Sequence, residues 1–141
     1  MTTIAYRDGV IAYDSRAVQH DMVVSNTFPK MFEHKDHIFF VAGDVADYSG
    51  FASDMVAGKQ SKEWEVSAFM VCPDGKLWMT GGGGGAWRFE LPLTETAAIG
   101  SGMAFALAGM DFGLSAKKAV KYAMTRDPFT GGRVHTYKVG G

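Results

Sequence analysis

A single cysteine, Cys72, is present in 141 residues. That excludes an internal disulfide and suits a reducing compartment. Long apolar runs are missing as well. None approaches the roughly 20 residues that a membrane-spanning helix requires, and no charged segment followed by an apolar stretch marks a secretory signal. The expected location is cytoplasmic, with no membrane partner. An excess of charge of one sign is also absent: 14 basic and 15 acidic residues leave a formal net charge of −1. They are scattered, without the basic stripe that nucleic acid demands, so no nucleic-acid partner is expected. What remains is the composition of a folded globular protein, 47% hydrophobic and 21% charged. The length suits one domain, residues 1–141, with a sizeable core. No repeat and no linker divides it.

Local patterns then give the elements. Strand-like segments 3–7 and 10–14 flank Asp8-Gly9, and segments 30–34 and 37–42 flank Lys35-Asp36; both read as hairpins. From Asp44 to about Ala57 the apolar residues recur at helical spacing, with Asp44 as cap and Gly58 as stop. Segments 64–72, 76–80 and 86–91 read as strands, the last two separated by the run Gly81 to Gly85. Segment 102–112 is apolar nearly all round and is expected to be a buried helix. Segment 115–127 has Ser115 as cap, Ala116, Ala119, Val120 and Ala123 on one face, and Lys117, Lys118 and Lys121 opposite. Pro128 stops it, and 133–139 is a last strand. Runs of strands with segregated helices indicate an α+β fold.

Several residues invite a chemical reading that their surroundings weaken. The glycine run has no following Gly-Lys-Ser/Thr and reads as a flexible connection rather than a phosphate loop. Gly100-Ser101-Gly102 serves equally as an anion-binding nest or as close helix–sheet packing. His34 and His37 flank a tight turn without a third ligand nearby, so no metal is expected. Cys72 follows an apolar strand and reads as a small buried hydrophobe. Trp64, Trp78, Trp87 and the nine methionines read as core or subunit contact.

The stretch that opens the chain, Met1-Thr2-Thr3, carries more. Methionine is usually trimmed before a small residue, which would leave Thr2 with a hydroxyl and a free α-amine. An ordinary α-amine has a pKa of about 7.7–8 and can take the hydroxyl proton itself or through one water. Such a nucleophile requires a neighbouring cation, an acid to hold that cation, and backbone N–H donors for an oxyanion. Asp14 at the end of the second strand, Lys30 at the start of the third and Gly43 at the end of the fourth are candidates. So are Ser101 and the segment 126–132.

Six pieces in order along most of the chain, TTI at 2–4, GVIAYDSRAV at 9–18, SNTFPKMFE at 25–33, VAGDVAD at 41–47, IGSG at 99–102 and TRDPFTGG at 125–132, resemble the β subunits of the proteasome and the HslV-type peptidase. The resemblance implies an N-terminal-nucleophile hydrolase with a four-layer αββα sandwich, acting as a threonine peptidase without cofactor. It implies Thr2 as nucleophile with its own amine as base, Lys30 to tune that amine and Asp14 to orient Lys30. It further implies Gly43 N–H as oxyanion donor, with Ser101, Asp127 and Thr130 as the supporting network. Substrate would pair with backbone at Val18 and Gly43, and Ala17, Phe28, Val41, Val45 and Ser49 would line an apolar first pocket. A peptide or protein substrate and a homo-oligomer are implied, with room for an ATPase unfoldase as partner. The pattern departs from the family at Thr130, where serine is usual, at Pro128, and at Asp44, which stands where glycine often follows the oxyanion residue and so sets a carboxylate near the cleft. One helix stands after the fourth strand where the family has two. Two other readings stay open: a small-molecule amidohydrolase on the same fold, and a silent assembly protein that retains Met1.

Overall fold

The computed structural model describes residues 2–140. Asp8 and Gly9, at φ 51° and 81°, join β1 (Thr3–Arg7) to β2 (Val10–Tyr13). These are the two left-handed positions of a type I′ turn. A short hairpin not expected from the sequence follows, β3 (Ala17–Gln19) and β4 (Met22–Ser25), turning at His20 with φ 55°. Lys35 and Asp36, at φ 47° and 64°, then join β5 (Met31–His34) to β6 (His37–Gly43).

The chain continues through α1 (Tyr48–Ala57), β7 (Val66–Val71), β8 (Leu77–Gly81) and β9 (Trp87–Glu90). It ends with β10 (Ala97–Gly100), α2 (Met103–Asp111), α3 (Ala116–Met124) and β11 (His135–Lys138). One antiparallel sheet has the order β10-β1-β2-β11 and a second the order β5-β6-β7-β8-β9.

The period-2 alternation of the strands sorts the core. Ile4, Tyr6, Ile11 and Tyr13 of the first sheet pack against Phe40, Phe69, Val71 and Leu77 of the second. On the other face of the first sheet, Ala5, Ala12 and Ala98 meet Ala106, Met110, Ala119 and Val120 of α2 and α3; small residues on both sides let the helices lie close. On the far face of the second sheet, Phe39, Val41, Ala68 and Met70 meet Phe51, Ala52 and Met55 of α1.

Asp44 caps a 3-10 turn, Val45–Asp47, that leads into α1, its carboxylate accepting from Ala46 N at 3.1 Å. Gly58 ends α1 in the left-handed region at φ 69°. No second helix separates α1 from β7. Asp54 instead ties down the connecting loop, accepting from Ser61 N and Oγ at 2.7 Å each and from Trp64 Nε1 at 2.9 Å. The expectation of a buried α2 is corrected: Met103 is 49% exposed, Phe112 just beyond the helix is 91% exposed, and only Ala106, Gly109 and Met110 of the helix are buried. The sheet and α3 cover one side of α2, so apolar residues on its other side stay uncovered. Ser115 caps α3 as expected, accepting from Lys118 N at 3.2 Å. Among the described residues no helix is long and apolar enough to cross a membrane.

Candidate active site

Strand register brings distant residues together at one end of the two sheets. In the first, Ile4 pairs with Tyr13 and Thr3 with Gly100, so Thr2, Asp14 and Ser101 converge. In the second, Val41 N donates to Lys30 O at 3.0 Å, and Gly43 pairs with Val66. The face-to-face packing then sets the start of β5 against the start of β1.

The centre of the cluster is buried. Asp14 is fully buried, Thr2 is 1% exposed and Lys30 2% exposed. The Thr2 hydroxyl donates to Asp14 Oδ1 and accepts from Lys30 Nζ. Lys30 Nζ also donates to Asp14 Oδ1 at 2.8 Å. Burial pushes the Lys30 ammonium below its usual pKa, although the Asp14 carboxylate pulls the other way. Thr3 N at 3.2 Å completes the donors to Asp14 Oδ1, while Arg16 N at 3.3 Å and Gly131 N at 3.0 Å donate to Oδ2.

A second chain of hydrogen bonds reaches the backbone nitrogen of Thr2. Thr2 N donates to Ser101 Oγ at 3.1 Å, and Ser101 Oγ donates to Asp127 Oδ2 at 2.6 Å. Thr130 Oγ1 also donates to Asp127 Oδ2 at 2.6 Å and lies 2.6 Å from Thr3 Oγ1. Burial raises the Asp127 pKa, but the bonds from Ser101, Thr130 and Phe129 N outweigh it and hold the carboxyl below its ordinary value. Gly100 at φ 98° is required here, since a Cβ would come within 2.0 Å of Thr2 O. Gly43 at φ 130° is equally constrained, with Glu65 O 2.0 Å from where a Cβ would stand. Tyr48 Oη donates to Gly43 O at 3.4 Å.

Beside this cluster lies a cavity of about 1100 Å³ whose wall includes Ala17, Val18, Phe28, Gly43, Val45 and Ser101. Two expected lining residues are elsewhere. Val41 is fully buried against α1 because its strand position faces the second sheet's outer side, and Ser49 is exposed on α1. Thr2 lies behind the cavity wall rather than on it, while its partner Ser101 lines the cavity.

Sequence reasoning set the Asp44 carboxylate near the cleft, and passed over Arg16, Glu65, Trp64 and Trp87. Arg16 Nη1 donates to Pro128 O and its Nε to Asn26 Oδ1, each at 2.9 Å. It thereby clamps both loops that flank Asp14, and its position in the stretch GVIAYDSRAV was the available signal. The other three line the cavity with Asp44, and Trp64, Glu65 and Trp87 lie outside every quoted piece. Among the described residues no group of histidine, cysteine and carboxylate side chains forms a metal site.

With the geometry in place, comparison with solved structures is informative. The chain superimposes on Thiobacillus denitrificans BPH in complex with epoxomicin with a TM-score of 0.69 and 17% identity, covering 99% of each chain. The same protein solved alone gives 0.69 and 15%, covering 99% of this chain and 98% of that one. Eukaryotic HslV from Trypanosoma brucei gives 0.68 and 16%, covering 96% and 97%. The fold is HslV-like. It is α+β with antiparallel sheets, as the strand and helix order led one to expect. No family model matches the sequence, and no curated protein sequence does.

Proposed function

We propose that the chain is a threonine-type hydrolase of the proteasome and HslV class, a peptidase with Thr2 as nucleophile. The observation that carries this is the buried Thr2 hydroxyl held between Lys30 and Asp14, with Thr2 N tied through Ser101 to Asp127. Met1 lies outside the described residues, and the mechanism requires its removal.

The freed α-amine takes the Thr2 hydroxyl proton, aided by the adjacent Lys30 ammonium, which favours the alkoxide. Oγ1 bonds to the substrate carbonyl carbon, and the developing oxyanion is met by Gly43 N–H. The carbon–nitrogen bond breaks as the ammonium at Thr2 returns its proton to the leaving nitrogen. Water then attacks the ester, giving a proton to the same amine, and the Thr2 hydroxyl is restored. Asp14 holds Lys30 in place, while Ser101, Asp127 and Thr130 orient the amine. An extended peptide lies in the cavity between β3 and the Gly43–Ala46 segment.

The order of helices, sheet, sheet and helix fits the four-layer sandwich of this class, in one domain. Self-association and a cytoplasmic location belong to the same reading. A second reading, a silent assembly protein, is favoured by one fact: Thr2 is not among the residues that line the cavity.

Epoxomicin bound to the Thiobacillus denitrificans protein makes an epoxyketone the suitable probe. Intact mass is expected to show a chain lacking methionine that gains one epoxyketone, and a Thr2→Ala chain that gains none. A retained methionine with no adduct, or an adduct that survives Thr2→Ala, overturns the peptidase reading.

A further inference from the structure

The charge around the cavity is one-sided. Val18, Phe28, Val45 and Trp87 are among its apolar lining residues, while its charged lining residues are Asp44 and Glu65. Among the described residues no lysine, arginine or histidine lines it. The two acidic residues are adjacent in space, Asp44 N donating to Glu65 O at 2.8 Å where β6 ends and β7 begins. Both side chains are exposed. Asp44 Oδ1 accepts from Ala46 N, and among the described residues neither carboxylate has an ion-pair partner.

Nearby cations are engaged elsewhere. Lys30 is neutralised by Asp14, Arg16 holds Asn26 and Pro128, and the Lys62 ammonium sits 4.5 Å from the Trp64 ring centre. An apolar-walled cleft bearing unpaired carboxylates concentrates a field that draws in positive charge.

We propose that this cleft selects peptides carrying a lysine or arginine side chain beside the bond to be cut, with Asp44 as the specificity-determining residue and Glu65 supporting it. The proposal rests on the reading of the cavity as the substrate cleft. It displaces the expectation of an apolar, uncharged first pocket, in which Asp44 stood only near the cleft and Glu65 had no part. The long apolar stem of lysine or arginine lies along Val18 and Phe28, and its charged end reaches the mouth.

The test uses fluorescent N-acetylated tetrapeptide amides that differ only in a final lysine, leucine or glutamate. Binding is read by anisotropy on the Thr2→Ala chain, where no turnover interferes. An unacetylated leucine peptide forms a fourth arm, separating a side-chain ammonium from a terminal one. The lysine peptide is expected to bind about three- to tenfold more tightly than the leucine peptide at low salt, with the ratio shrinking as salt rises. Asp44→Asn keeps the capping ability of the residue and is expected to abolish most of the preference. Asp44→Lys is expected to turn it toward glutamate. Equal binding of lysine and leucine peptides, no binding by any of them, or a lysine preference that survives both substitutions overturns the proposal. A terminal ammonium that binds as tightly as the side-chain one also overturns it. Failure of the epoxyketone to label the unsubstituted chain, with the lysine preference intact, defeats the catalytic reading alone and leaves this one standing.

Discussion

Five donors among the described residues converge on the Asp14 carboxylate: the Thr2 hydroxyl, Lys30 Nζ and the backbone N–H groups of Thr3, Arg16 and Gly131. They come from the start of β1, the segment between β2 and β3, the residue before β5 and the loop before β11, so one side chain fastens four parts of the chain. A buried ion pair contributes little net stability, because desolvation offsets attraction, but breaking one strands a charge. Asp14→Ala is therefore expected to lower unfolding free energy by about 3–5 kcal/mol, measured by urea denaturation. Adding Lys30→Met to that background removes the stranded ammonium and is expected to restore part of the loss. If the double substitution is as destabilised as the sum of the single ones, the two groups are not coupled. The residues of this cluster were legible from the sequence only through the order of six short pieces. Taken singly, Asp14 reads as a turn acid and Lys30 as a solvated charge; tertiary register alone turns them into a pair.

Elements announced by local chemistry were the ones readable in advance. The two type I′ hairpins, the Asp44 and Ser115 caps and the Gly58 stop are all set within a few residues. The hairpin β3–β4 was not readable, since its turn at His20-Asp21 lacks glycine and Met22, Val23 and Val24 are exposed. Strand β10 was missed for another reason: Ala97-Ala98-Ile99-Gly100 has little strand propensity and is held by pairing with β1. In α2 the apolar periodicity had no polar face to show which side would be covered. Two predictions belong at this level. Ser115→Ala removes the bond to Lys118 N and is expected to cost about 1 kcal/mol. Asp36→Gly relieves a left-handed residue at φ 64° and is expected to gain roughly 0.5–1 kcal/mol. Thermal melts check both; a lower melting temperature for Asp36→Gly would mean that the Asp36 side chain supports the turn.

At the scale of the molecule, the two sheets bury their shared face and gather ionisable groups at one end, which ties stability to pH. Burial raises the Asp127 pKa, but hydrogen bonds from Ser101, Thr130 and Phe129 N more than reverse this, and bonds from Ser61 and Trp64 lower that of Asp54. A carboxyl lowered in the folded state binds its proton first in the unfolded one, so its stabilisation is complete above the unfolded pKa of about 4. It is lost as pH falls from there through the folded value. At the other end, burial with help from Asp44 and Asp14 raises Tyr48 to about 12, and burial raises Tyr6 and Tyr13. Their stabilisation is present below the ordinary tyrosine value of about 10 and is lost as pH rises above it. Lys30 has the opposite sign to these tyrosines. Lowered by burial, it releases its proton earlier when folded, so its contribution grows as pH approaches the ordinary lysine value of about 10.4. The expected profile is a plateau through neutral pH, rising slightly toward pH 10, with losses below about 4 and above about 10. Urea midpoints across pH 3–11, a range spanning both ordinary pKa values, measure it. Asp127→Asn should make the acid limb shallower and Tyr48→Phe the alkaline limb. An acid limb unchanged by Asp127→Asn would show that the network behind Thr2 N does not hold Asp127 as a carboxylate.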